Sequence, residues 1–192
     1  IPIFEIDGYE ADDIIGTIAY QATRAQSLEP RKKEKKTKLQ ALVTNKLEVI
    51  IVSGDRDMLQ LVNDYVLVYA PVVGLTKTIL YNKEAVEEKY GIKSSQIIDY
   101  KALIGDPSDN YPGVSGIGPK TASGLLRKYG SLENLYKNLK NLPEKIAKKL
   151  AVDIEQVSLA KKLATIVTDA PVSFDIEKCS FKNFDIKQTG EA

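Results

Sequence analysis

The chain has 192 residues, 43% of them hydrophobic and 28% charged, with a net charge of +1, one cysteine and neither histidine nor tryptophan. This length and balance suit a globular protein with a sizeable core, and the single Cys179 excludes an internal disulfide and any cysteine-based zinc cluster. The absence of histidine removes Ser-His-Asp and Cys-His catalysis, which leaves carboxylates, Lys, Tyr or a hard metal ion as chemical agents.

No apolar run approaches the length needed to span a bilayer and no cleavable leader pattern is present, so a cytoplasmic protein with no membrane partner is expected. The chain opens at Ile1 and its only methionine is Met58, so it reads as a fragment of a longer product.

Residues 1–7 alternate apolar and polar side chains as a short strand would, ending at Asp7-Gly8. A helix follows, with Ala11, Ile14, Ile15, Ile18 and Ala22 on one face and Glu10, Asp12 and Asp13 near the start, where the helix dipole favours negative charge. Residues 30–38 are a basic low-complexity run, read as an exposed loop that is either merely solvated or an auxiliary DNA contact. The β-branched run 48–53 predicts a buried parallel strand, and it ends at Gly54-Asp55-Arg56-Asp57, the position where open α/β sheets build their sites.

A short helix is predicted over 58–62, strands over 66–70 and 75–80 with a turn at Gly74, and helices over 82–90 and 94–103 capped by Asn82 and Ser94. From Pro119 the pattern is helical with short loops: 120–129, 132–139, 144–150 and 154–167. The last of these turns Val157, Ala160 and Ala164 to one side and leaves Lys161 and Lys162 to solvent. Pro171 is expected to stop it, and the tail to Ala192 reads as irregular or β-like.

Between the two halves lies the stretch 103–122, in which an acidic turn precedes a glycine-rich hairpin. Asp106 and Asp109 sit among Gly, Pro, Ser and Asn, which exclude a helix and let both carboxylates face one point. Gly116 and Gly118 allow close approach of an anion to the backbone, Pro119 suits a first helical turn and Lys120 adds charge, which together read as a phosphate grip. An ordinary tight turn between helices is the plainer alternative.

Three acidic groups therefore stand out: Glu10, Asp12 and Asp13; Asp55 and Asp57; Asp106 and Asp109. Each alone could be a helix cap or a turn bond. Together they lie at strand ends and helix starts that a sheet could gather on one rim. Two carboxylates about 5 Å apart repel by roughly 3 kcal/mol at an effective dielectric near 20, so gathered acids call for cations. Setting these seven aside from the 26 acidic residues leaves 19 against 27 basic ones, a balance suited to a phosphate backbone.

Gly8-Tyr9-Glu10-Ala11-Asp12-Asp13, then Ser53-Gly54-Asp55-Arg56-Asp57-Met58-Leu59-Gln60-Leu61, then Gly105-Asp106-Pro107-Ser108-Asp109-Asn110 with Pro112-Gly113-Val114-Ser115-Gly116-Ile117-Gly118-Pro119-Lys120-Thr121-Ala122, closely resemble the 5′-3′ exonuclease domain of bacterial DNA polymerase I, of the flap endonuclease family. The resemblance runs over residues 1–175 and includes the closing segment 165–171. It implies an α/β PIN-like 5′-nuclease fold with a mainly parallel central sheet. Residues 1–104 would form a partial nuclease domain, lacking its N-terminal strand and helical arch and carrying a basic insertion over 27–46. Residues 105–192 would form a helix-hairpin-helix DNA-binding portion and C-terminal segment.

The implied function is hydrolysis of phosphodiesters in DNA, and in RNA primers on DNA, at 5′ ends, flaps, nicks and junctions during replication and repair in the bacterial nucleoid. The implied cofactors are two Mg²⁺ or Mn²⁺ ions, with a K⁺ ion at hairpin carbonyls. Glu10, Asp12 and Asp13 would hold the first metal and Asp55, Asp57, Asp106 and Asp109 the second, several through water, with Asp12, Asp13, Asp55 and Asp57 central to catalysis. Gly113, Val114, Ser115, Gly116, Ile117, Gly118, Lys120 and Thr121 would grip duplex phosphates, and polymerase domains would share the parent chain. In the family a strand with a further ligand aspartate and a basic arch precede this region, so a non-catalytic duplex-binding module is the alternative. A small metal-dependent phosphatase built on the acids after strand 48–53 is a more distant one. Tyr111 departs from the family, standing where a smaller aliphatic is common.

Overall fold

A computed structural model describes residues 2–27, 47–73 and 77–179. It is an α/β arrangement: helix α1 (Ala11–Ser27) and strands β1 (Val49–Val52), β2 (Val66–Val73) and β3 (Lys77–Tyr81), then helices α2 (Lys83–Tyr90) and α3 (Ile97–Ile104). A two-residue ribbon follows, β4 (Gly105–Asp106) with β5 (Tyr111–Pro112), and then helices α4 (Pro119–Tyr129), α5 (Leu132–Lys137), α6 (Glu144–Val152) and α7 (Ile154–Ala164). The basic run 30–38, the turn at Gly74 and the tail from residue 180 lie outside the described residues.

The sheet has the order β1-β2-β3. β1 runs parallel to β2, with Val49 opposite Val66 and Val52 opposite Tyr69, whereas β3 returns antiparallel to β2. The described sheet is thus evenly mixed instead of mainly parallel: only residues 74–76 separate β2 from β3, too few for the crossover that a parallel pair requires. The two-sided burial expected of β1 is also absent. Ile51 is buried, but Ile50 is 51% exposed and Val52 73%, because α1 covers one face of the strand only.

Residues 2–6 form no strand: Ile3 is 90% exposed, and Phe4 meets the ring of Phe174 at 6.4 Å instead of entering a ladder. The helix predicted over 58–62 is a single 3-10 turn, Asp57–Leu61, with Met58 and Leu59 fully buried beneath it. Asn82 caps α2 as expected, its side chain accepting from the Ala85 N–H at 2.8 Å. Ser94 caps nothing. It opens the 3-10 turn Ser94–Gln96 that leads into α3, and the turn is closed by Gln96 accepting from the Lys93 N–H at 3.0 Å.

α3 is the hub, packed on α4 and α7. Six of its eight residues are apolar; Tyr100, Ala102 and Leu103 join the core with Leu125, Leu126, Leu135, Leu150 and Val157. Lys161 reaches back from α7 to Asp99 at 2.6 Å and to Glu133 of α5 at 2.5 Å, while the other Asp99 oxygen accepts the Leu132 N–H at 2.9 Å. Lys161 is therefore a tie between three helices and does not stand free in solvent as its helical position suggests. α7 ends at Ala164, well before Pro171, where Thr165 turns extended and bonds back to the Lys161 carbonyl at 2.6 Å.

Beyond α7 the chain runs along α1 as a strap. The Val167 N–H donates to Asp13 Oδ1 at 2.8 Å, the Ala170 N–H to Thr17 Oγ1 at 3.1 Å, and Gln21 bonds the Val172 carbonyl at 2.8 Å and the Phe174 N–H at 3.3 Å. The strap lies so close that a Cβ on Gly16 would come within 2.7 Å of Ile166.

Candidate metal centre and hairpin

β1 delivers Gly54-Asp55-Arg56-Asp57 to the rim of the sheet, α1 brings its acidic first turn to the same end, and α3 hands over to the β4–β5 ribbon. The ribbon depends on two glycines. A Cβ on Gly105 (φ +76°) would lie 2.3 Å from the Gly113 nitrogen, and a Cβ on Gly113 would lie 2.2 Å from the Ile104 carbonyl carbon, so only hydrogen fits between these backbones. Their contact turns Asp106 inward and leaves Asp109 on the exposed turn.

Oxygens of Asp57, Asp106 and Asp109 come within 4.8 Å of one another. Asp57 is buried and Asp106 half-buried. Asp12 and Asp55 adjoin this trio: burial, then Asp55, Glu10, Asp13 and Asp109 in that order, push the Asp12 carboxyl up to about 6. A cation would relieve that crowding of like charge, and all the donors are hard oxygens suited to Mg²⁺ or Mn²⁺. The residues present fit such ions.

The remaining acids divide. Asp55 accepts the Asp57 N–H at 2.8 Å, so the cap-like bond of this turn belongs to Asp55 and leaves the Asp57 carboxylate free to point inward. Asp13 is occupied at both oxygens, with the Val167 N–H on one and the Glu10 N–H at 3.3 Å on the other; the Glu10 side chain is exposed. Of the seven acids, Asp57, Asp106 and Asp109 meet and Asp12 and Asp55 adjoin them, while Glu10 and Asp13 flank Asp12 and Asp13 also ties the helix start to the strap.

Lys101 is the residue that sequence reasoning missed. Its side chain is 12% exposed, and its ammonium pairs with Asp57 and with Asp106 Oδ2, the latter at 2.6 Å. Burial alone would raise Asp106, but Lys101, with the Ser108 hydroxyl and the Ser108 N–H at 2.8 Å, holds it at about 2. The signal in the sequence was there: Asp99 and Lys101 are the only charges in an otherwise apolar helix, and both are paired. Beside them opens a cleft of about 250 Å³, lined by Arg56, Tyr90, Tyr100, Lys101 and Asp106 among others.

The predicted hairpin residues 113–118 form one loop between β5 and α4, and Lys120 and Thr121 lie in the first turn of α4. The Val114 N–H bonds the Leu103 carbonyl at 2.8 Å and the Ile117 N–H bonds Val114 at 3.0 Å, burying Val114 and Ile117 while Ser115, Gly116, Gly118 and Lys120 stay exposed. Gly118 is the N-cap of α4, with no side-chain cap, and Pro119 follows it. The loop is braced from behind: Lys149 donates to the Gly116 carbonyl at 3.1 Å, Asp153 accepts the Ser115 N–H at 3.1 Å, and Gln156 donates to the Gly113 carbonyl at 2.9 Å. The exposed edge thus presents N–H groups, a helix N-terminus and the charge of Lys120.

A profile for "5′-3′ exonuclease, C-terminal SAM fold" matches residues 92–187. Over 187 residues, 96% of this chain and 20% of the relative's, the sequence is 41% identical to DNA polymerase I of Caldicellulosiruptor bescii. It is 40% identical to DNA polymerase I of Bacillus caldotenax over 96% of this chain and 19% of that one. The chain therefore spans about a fifth of the length of the curated relatives it matches. A solved structure of T5 5′-exonuclease with divalent metal ions (zinc) bound superposes with a TM-score of 0.65 at 25% identity, covering 85% of this chain and 52% of that one.

Proposed function

Because this chain belongs to the 5′-3′ exonuclease family, we propose that it carries much of the cation site and the duplex grip of a 5′-nuclease that hydrolyses phosphodiesters of DNA, and of RNA primers on DNA, at 5′ ends, flaps and junctions. The observation that carries this reading is the approach of Asp57, Asp106 and Asp109 oxygens to within 4.8 Å on the rim that also holds Asp12 and Asp55. A pair of Mg²⁺ or Mn²⁺ ions, when bound, supplies an activated water and stabilises the leaving oxygen, chemistry that needs no histidine.

The protein's own residues then have distinct tasks. Asp12 and Asp55 hold one side of the site; Asp57, Asp106 and Asp109 hold the other. Lys101 and Ser108 orient Asp57 and Asp106, and Asp13 locks α1 against the strap. The loop 113–118 and the first turn of α4 position duplex phosphates without reading sequence, which leaves specificity to junction shape. Residues 1–104 with Asp106 and Asp109 then act as the nuclease part and the rest of 105–192 as the DNA-binding part, within a bacterial parent chain that also carries polymerase domains, as the curated relatives support.

The Lys101 pairing favours a second reading, a duplex-binding module, since an internal ammonium neutralises two of the acids on its own. A labelled 5′-flap duplex separates the two. Cutting near the junction in Mg²⁺ or Mn²⁺, lost with chelator and with Asp55→Asn, is the expected result; binding that survives chelation without cleavage assigns the chain to the grip alone.

A further inference from the structure

Tyr111 lies directly opposite Asp106 in the antiparallel β4–β5 register, so the two side chains leave the same face of the ribbon. The residue is 7% exposed. Its hydroxyl oxygen is closed off from solvent and has no hydrogen-bond partner among the described residues. A phenol hydroxyl is able both to donate and to accept.

A buried hydroxyl without a partner carries a desolvation cost that nothing among the described residues offsets. On the ribbon face shared with Asp106, it borders the place where a hydrated cation would be held. Small divalent ions retain several waters when bound by one or two carboxylates, and those waters are strong donors that need acceptors around them. Asp106 has nothing to spare for such waters: Oδ1 takes the Ser108 N–H and hydroxyl, and Oδ2 takes Lys101, which leaves one lone pair for the ion itself. The Tyr111 oxygen is the unused acceptor on the same face.

We propose that Tyr111 is a positioning residue of the metal site, its hydroxyl oxygen accepting a hydrogen bond from a water carried by the cation that Asp106 and Asp109 hold. This rests on the reading of the acids as a metal site. An aliphatic side chain at this position could fill the same space but could not make that bond.

Mn²⁺ titration of the 192-residue chain, followed by electron paramagnetic resonance of the free ion, tests both levels, with melting in EDTA as the companion measurement. Tyr111→Phe is expected to melt, metal-free, at or above the temperature of the parent chain and to raise the Mn²⁺ dissociation constant of one site about tenfold. Asp109→Asn is expected to weaken the same site, and adding Tyr111→Phe to it should weaken that site little further. Unchanged Mn²⁺ affinity in Tyr111→Phe overturns the role of Tyr111 alone. So does a loss of metal-free stability matching the loss of affinity, which would make the hydroxyl structural. No Mn²⁺ binding by the parent chain overturns the metal-site reading and this inference with it.

Discussion

Lys101 on α3 and Asp106 on β4, five positions apart, meet at 2.6 Å across the turn from helix to ribbon, and the same ammonium pairs with Asp57 from the far side of the sheet rim. The pairing joins the two acidic segments that chain order keeps apart. It also gives the site a stand-in charge when no divalent ion is bound.

Lys101→Met should therefore leave two mostly buried carboxylates uncompensated and cost about 3 kcal/mol of metal-free stability. Urea denaturation in EDTA measures the loss. Mg²⁺ should recover more stability in the variant than in the parent chain, because the acids then depend wholly on the added ion; equal recovery would count against the shared site.

Asp12 and Asp106 give the metal-free chain opposite responses to acid. Asp12, raised from 3.8 to about 6, binds its proton more tightly in the folded state, so its contribution grows as pH falls from above 6 toward 4. Asp106, lowered from 3.8 to about 2, contributes fully above the ordinary carboxylate range and loses that contribution as pH falls from about 4 to 2. Melting curves in EDTA should show stability rising between pH 7 and pH 5 from the Asp12 contribution. Asp12→Asn should flatten that rise, and saturating Mg²⁺ should reverse its sense.

Gly113→Ala tests the ribbon. The added methyl would overlap the Ile104 carbonyl carbon at 2.2 Å and the Leu103 oxygen at 2.5 Å, both rigid backbone. A loss of about 3 kcal/mol or more is expected in urea denaturation, accompanied by loss of divalent-ion affinity, since Asp106 and Tyr111 depend on the same contact. Gly118→Ala, whose methyl meets nothing within 4 Å, is the benign comparison.

Lys120→Gln should weaken duplex binding similarly across sequences and reduce the slope of log affinity against log salt by about 0.9, the signature of one lost phosphate contact. Fluorescence anisotropy over a salt series in Ca²⁺ reads this directly. An unchanged slope would place the phosphates elsewhere.

The helical second half was legible because short-range signals govern it: apolar periodicity, Pro119 at a helix start and short loops between the helices. The acidic groups were legible as candidates for the same reason, each marked by its own local motif. Features requiring knowledge of distant neighbours were hidden. The one-sided burial of β1 depends on which layers cover the sheet, and a run such as Val49–Val52 looks alike whether one face or both is covered. The occupation of Asp13 by Val167, the pairing of Lys161 with Asp99 and the overlap of Gly105 with Gly113 each join segments that local patterns treat separately.

The strap along α1 bears on how the chain matures during synthesis. Asp13 and Val167 are separated by 154 positions, so at about 5–20 residues per second the ribosome makes the acidic turn roughly 8–30 s before its last structural partner. Throughout that interval the carboxylates of α1 have no strap to orient them against Asp55. The contact that fixes Asp13 is therefore completed late, after the loop 113–118 and the helices that brace it have been made.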